Sequence, residues 1–151
     1  MLLNNQIQID LPEGFRRLSE QELRDRNANM SDEGVVLRHD ERQVLIQMMW
    51  KKIPFFGRGV TLEKMVENTA ETHRRLVPSF RNQVACRTTI AGQDACGFRY
   101  EYLANDVKYM TVYYLIRTEK MTYSFSLSCR KETGEEDERI FNELLATAAM
   151  V

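Results

Sequence analysis

The chain has 151 residues, of which 43% are hydrophobic and 28% charged; this excludes a disordered protein and suits one domain folding on its own core. Lys and Arg number 21 against 22 Asp and Glu, so the formal net charge of -1 builds in no overall attraction to nucleic acid or anionic lipid. No run approaches the roughly 20 consecutive apolar residues of a transmembrane helix, and Met1 to Asn5 lacks the basic and apolar segments of a secretory signal.

Gln6 to Leu11 alternates polar and apolar residues, predicting a short strand stopped by Pro12 and Gly14. Ser19 with Glu22 three residues on forms a capping box at the start of a short helix, with Leu18 and Leu23 at staple positions. Asn27 to Gly34 reads as a turn. Val35 to His39 and Gln43 to Lys51 read as a hairpin through Asp40-Glu41-Arg42, the second strand being apolar on both faces and so covered on both. After a loop from Lys51 to Val60, Thr61 caps a helix to about Leu76. Its stripe is Leu62, Met65, Val66, Thr69, His73 and Leu76, and Pro78 marks the exit.

Four strands then follow in quick succession: Phe80 to Ile90, Ala95 to Ala104, Val107 to Thr118 and Met121 to Arg130. Turns of two or three residues join them, and so short a connection makes neighbours antiparallel. The third of these is apolar on both faces, which predicts helices on both sides of the sheet. The fourth alternates Met121, Tyr123, Phe125 and Leu127 with Thr122, Ser124, Ser126 and Ser128, the pattern of an edge or a groove wall. Thr133 with Glu136 reads as a second capping box, opening a helix with an Ile140, Phe141, Leu144, Leu145 and Ala148 stripe. The predicted order is β-α-β-β-α-β-β-β-β-α, an α+β chain forming an α/β/α sandwich around an antiparallel sheet of about six or seven strands.

The turn Leu11-Pro12-Glu13-Gly14-Phe15, the hairpin, the amphipathic helix, the meander with Ile90, Gly92, Phe98 and Tyr100 at its first turn, and the closing helix together resemble the Mog/PsbP-like fold family. The likeness is to its small bacterial members of the DcrB and EagR kind, from about Ile7 to Ala148. The resemblance implies a non-catalytic binding or assembly role. For an EagR-like member it implies a chaperone for the amphipathic or transmembrane-type helix of a secreted effector, working as a homodimer. Its motifs are turn and core residues, so it assigns no functional residue to this chain.

The three cysteines, Cys86, Cys96 and Cys129, show no CxxC and no zinc spacing, and their odd number favours reduced thiols in the cytoplasm. A leader ahead of Met1 would make the protein periplasmic or anchored instead. A three-residue turn at Ala91-Gly92-Gln93 would place Thr88 opposite Cys96, so a Cys86–Cys96 bridge needs a register change. His73 on an apolar stripe reads as a core or boundary histidine, and His39-Asp40-Glu41 as a solvated turn, since adjacent strand residues face opposite ways. Gly57-Arg58-Gly59 lacks the remaining glycines and lysine of a phosphate loop. Glu135, Glu136, Asp137 and Glu138 complement the dipole of a helix start. Cys129 lies on the Phe125 and Leu127 face and reads as buried and inert, and the methionines read as core fillers. No catalytic residue, metal or cofactor is expected.

The candidate site is the loop after the second hairpin strand. Trp50, Ile53, Phe55 and Phe56 interleaved with Lys51, Lys52 and Arg58 join large apolar area to positive charge, the residue types of interface hot spots; the other reading folds Phe55 and Phe56 back as a plug over the sheet or the middle helix. The expectation is a protein-binding, chaperone-like accessory protein that binds neither nucleic acid nor the membrane interior, with Trp50, Ile53, Phe55, Phe56 and Arg58 contacting the partner. The alternative is a small-ligand binder or enzyme using a cavity lined by Tyr100, Tyr102, Tyr113 and Tyr123.

Overall fold

A computed structural model describes residues 1–26 and 33–151. In chain order the elements are β1 (Leu2–Leu3), β2 (Ile7–Gln8), β3 (Phe15–Arg17), α1 (Glu20–Arg26), β4 (Glu33–His39), β5 (Val44–Lys52), α2 (Leu62–Leu76), β6 (Arg81–Ile90), β7 (Gln93–Ala104), β8 (Val107–Arg117), β9 (Met121–Arg130), α3 (Gly134–Ala146) and β10 (Ala149–Met150). Single 3-10 turns occupy Phe55–Gly57 and Lys131–Thr133.

Seven strands form one antiparallel sheet in the order β3-β4-β5-β9-β8-β7-β6, so the expected α+β sandwich is what the chain builds. β9 sits at the centre of the sheet, paired with β5 and β8, and is no edge; its serine-bearing side is half-buried. The strand expected at Gln6 to Leu11 shrinks to β2, which leaves the main sheet and joins β1 and β10 in a three-stranded sheet of its own. The main sheet starts instead at β3, entered through Gly14, whose φ of +83 is left-handed. Of the expected turn at Asn27 to Gly34, residues 27–32 lie outside the described residues, while Glu33 and Gly34 already pair with Trp50 and Met49 as part of β4.

The two faces of the sheet have different covers. One side carries α3 and the small sheet: Leu3, Ile7, Ile9, Phe141, Leu144 and Leu145 join Val35, Leu37, Ile46, Met48, Val112, Phe125 and Leu127 in one buried cluster. Burying such side chains stabilises by about 1.5–3 kcal/mol each relative to exposure, before chain entropy is set against it. The other side carries α2, whose Val66 and Ala70 pack on Cys96, Phe98, Tyr100 and Leu115, a smaller cluster limited to β7 and β8.

Local chemistry sets the helix ends. At α1 the reciprocal capping box forms: the Glu22 N–H donates to Ser19 Oγ at 3.2 Å and the Ser19 N–H to Glu22 Oε1 at 3.1 Å. Thr61 Oγ1 accepts from the Lys64 N–H at 3.2 Å and starts α2. Leu76, expected on the apolar stripe, is 74% exposed, while Ala70, one turn after Val66, is buried. The second capping box does not form: the Thr133 hydroxyl donates to Asp137 Oδ2 at 2.6 Å and caps no backbone N–H. Asp137, in the first turn of α3, is fully buried and ion-paired with Arg42 from the β4–β5 turn. The turn after β6 has two residues, Ala91 and Gly92, both with positive φ, so Ile90 pairs with Gln93 and Cys96 lies opposite Arg87. Cys86 and Cys96 therefore project from opposite faces, and all three thiols are free.

Candidate functional site

β5 runs out of the sheet at Lys52, and the chain must cross to the start of α2. The crossing is fastened at both ends. The Ile53 N–H donates to the Lys120 carbonyl at 2.8 Å, and the Arg117 guanidinium donates to the carbonyls of Val60 at 2.5 Å and Arg58 at 3.3 Å. Inside these anchors the Gly57 N–H closes a turn on the Pro54 carbonyl at 2.8 Å. Arg117 gave no signal in the sequence; its role follows from β8 ending beside the loop.

The five expected contact residues divide. Trp50 and Ile53 point inward: Trp50 is half-buried against the main core, its indole N–H donating to Glu33 Oε2 at 2.8 Å, and Ile53 is buried. Phe55 and Phe56 point out, 84% and 90% exposed, with the Arg58 guanidinium 5.4 Å from the Phe55 ring centre. These exposed aromatic side chains sit on a loop fastened at both ends, not on slack chain.

Beside the loop a groove of about 370 Å³ opens between α2 and the sheet. Met49, Pro54, Met65, Tyr113 and Leu115 supply its apolar wall, and Asn68, Thr69, Thr122 and Ser124 its polar one. Thr122 and Ser124 belong to the serine-bearing side of β9, where the sequence alternation suggested a groove wall. Burial raises the pKa of the Tyr113 hydroxyl, which stays protonated at neutral pH.

The four-tyrosine cavity does not exist. Tyr100, Tyr102 and Tyr113 lie on the α2 side, but Tyr123 is on the opposite face, its hydroxyl bonded to Gln6 and accepting from Asn4 Nδ2 at 3.1 Å. Tyr100 and Tyr102 are stacked in an aromatic row with Phe80, Phe98 and Tyr109. His73 belongs to this packing: its Nδ1 lies 2.9 Å from the Tyr100 hydroxyl, and its ring meets Phe98, Tyr100 and Tyr113 edge-on. Burial lowers its pKa. His39 accepts from the Glu41 N–H at 3.1 Å and packs edge-on against Phe15. Burial, helped by the neighbouring Asp137 carboxylate, pushes the Cys129 thiol up to about 12, far from a nucleophile's range. Among the described residues no group of three His, Cys, Asp or Glu could hold a metal ion, and no helix is long and apolar enough to cross a membrane.

No family model matches the sequence, and neither does any curated protein. Solved structures do match the fold. The chain is similar to LpqN of Mycobacterium tuberculosis, involved in cell envelope biogenesis, with a TM-score of 0.68 at 12% identity over 96% of this chain and 83% of that one. It is similar to cyanobacterial PsbP from Synechocystis sp. PCC 6803, with a TM-score of 0.66 at 15% identity over 98% and 88%. Protein PA94 of unknown function from Pseudomonas aeruginosa matches at a TM-score of 0.53 and 11% identity, over 72% of this chain and 85% of that chain. The fold is thus PsbP-like, and at these identities the likeness extends to fold alone.

Proposed function

We propose that this chain is a chaperone-like accessory protein that binds an apolar segment of a partner protein by shape, without catalysis. The observation that carries the reading is the Phe55-Phe56 pair, exposed on a loop anchored through Ile53 and Arg117, whose Pro54 and Gly57 line the Met49–Met65–Tyr113 groove. Aromatic anchors beside a half-apolar cleft are how interfaces concentrate their energy, and a pre-fastened loop avoids the cost of ordering on binding. The partner we assign is an amphipathic or transmembrane-type helix of a secreted effector, the partner that a resemblance to EagR-like chaperones implies. The polar wall of the groove would meet such a helix's weakly polar side. Three free thiols, none opposite another, support a reducing, cytoplasmic setting.

The test uses fluorescein-labelled amphipathic and transmembrane-type helical peptides, read by anisotropy. Wild type binds members of the panel, and the Phe55→Ser/Phe56→Ser double variant loses roughly tenfold or more in affinity, about 1.4 kcal/mol, while its melting curve is unchanged. Equal binding by the variant, or a melted variant, overturns the proposal.

A further inference from the structure

The sheet has two edges of different kinds. At one, β3 is three residues long. At the other, β6 runs ten residues, and among the described residues its backbone pairs only with β7. Proteins protect such edges with proline, lysine, bulges or covering segments. β6 has one bulge, between Arg81 and Val84, and from Val84 to Ile90 it is regular and carries neither proline nor lysine. The helices leave it open, α2 packing on β7 and β8 and α3 on β9.

We infer that β6 is a homodimerisation edge, pairing antiparallel with β6 of a second copy about a two-fold axis at Cys86. The ladder geometry selects this register. Ile90 and Gln93 flank a two-residue turn and so form a hydrogen-bonded pair; alternation from there turns the N–H and C=O groups of Ala85, Arg87 and Thr89 away from β7. A two-fold antiparallel pairing then centres on a residue. Centred on Arg87, it sets two like charges directly opposite, which is unfavourable. Centred on Thr88, it leaves Val84 beyond the ladder. Centred on Cys86, it covers Val84, a side chain 54% exposed, with Thr88 of the second copy. The same register seats Arg87 of that copy opposite Ala85.

Charge supports that seat. Ala85 lines a mainly apolar groove of about 530 Å³ between α2 and β6, with Val66, Ala70 and Phe98, and its rim carries Glu63 and Glu67. Glu63 already pairs with Arg87 of its own chain at 3.3 Å. The second Arg87 brings an additional cation to this acidic rim. The side chains that meet across the axis are thus apolar against hydroxyl on the α3 side and basic against acidic on the α2 side, a self-complementary patch of the kind a two-fold interface requires.

The full chain is tested by analytical ultracentrifugation from about 1 µM to about 1 mM, the range suited to a small strand-addition interface. The mass doubles with rising concentration. Ala85→Pro removes only an outward-facing donor, and Val84→Lys changes only an exposed side chain; each holds the protein monomeric with its circular dichroism and melting curve retained. Copper-phenanthroline oxidation links wild-type chains through Cys86, two such residues in a non-hydrogen-bonded pair having Cα atoms about 4.5 Å apart. Cys86→Ser dimerises without linking. A monomer throughout, a dimer indifferent to both Ala85→Pro and Val84→Lys, or linkage through Cys96 or Cys129 overturns the inference; if Ala85→Pro fails to fold, Val84→Lys decides. Neither variant touches the Phe55 loop, so peptide binding there is a separate readout.

Discussion

One side of the main sheet is closed and dry, and the other is half open. On the α3 side, a helix and the three-stranded sheet of β1, β2 and β10 together bury Ile46, Met48, Phe125 and Leu127 almost completely. On the α2 side a single long helix covers β7 and β8, and the strands beside them show Leu45, Gln47, Met49, Ser124 and Ser126 half-buried. The difference teaches where stability is concentrated: the closed side holds the fold, which frees the open side to carry polar residues on the central strand.

The strongest challenge to this division is Phe141→Ala. Phe141 is wholly buried between α3 and the sheet, near Tyr114, and its loss should cost about 3–5 kcal/mol through transfer and cavity terms. For a chain of this size that lowers the Tm by roughly 6–20 °C. Met49→Ala on the half-open side should cost about 1 kcal/mol, in proportion to its partial burial. Similar losses at the two sites, measured by denaturant titration, would break the comparison.

Next in size is Arg42→Ala. Asp137 on α3 is 1% exposed and reaches two partners, Thr133 through Oδ2 and the Arg42 guanidinium, which approaches Oδ1 as an ion pair rather than an aligned hydrogen bond. Removing the arginine leaves a buried charge against Thr133 alone, and the expected loss is about 3 kcal/mol. The Arg42→Ala/Asp137→Asn double variant should recover part of it, because the charge goes with its partner. A single-variant loss below about 1 kcal/mol would show that water reaches Asp137 and that the closed side is open at this end.

Some of this was legible in the sequence, for physical reasons that separate one residue from another. Ser19 and Glu22 are three apart, their box needs nothing beyond one helical turn, and it forms as read. Thr133 and Glu136 have the same spacing, yet the preceding 3-10 turn and the demand of buried Asp137 for a donor take the hydroxyl elsewhere. The alternation of β9 named its dry and polar sides correctly, but its place at the sheet centre depends on pairing with β5, a long-range contact no local pattern encodes. Within the candidate loop, charge and aromatic content singled out the segment. Composition could not tell that Ile53 is buried and Trp50 half-buried against the main core while Phe55 and Phe56 stand exposed.

A smaller effect should appear with pH on the α2 side. Burial among Phe98, Tyr100 and Tyr113 lowers the pKa of His73 below its ordinary 6.5, so the unfolded chain binds a proton there before the folded chain does. The unfolded state then carries more protons below pH 6.5, and stability falls as pH drops through that value, with no contribution above it. Thermal melts across this range should show the decline in wild type and lose that part of it in His73→Gln. A slope that survives the substitution would place the titrating group elsewhere.

The smallest effect is the most telling about the open side. Central strands favour β-branched side chains, and β9 instead sets Ser124, Ser126 and Ser128 at successive positions on one side, giving up packing that the other side of the same strand exploits. If that side is held polar for an occupant of the groove, Ser126→Val should stabilise the chain by about 0.5 kcal/mol. Its partners across the ladder are Gln47 and Tyr113, and Ser126 itself is half-buried. A loss above about 1 kcal/mol would mean the opposite: the hydroxyl is wedged in a packed polar network, and the distinction between a closed face and a half-open one fails at its centre.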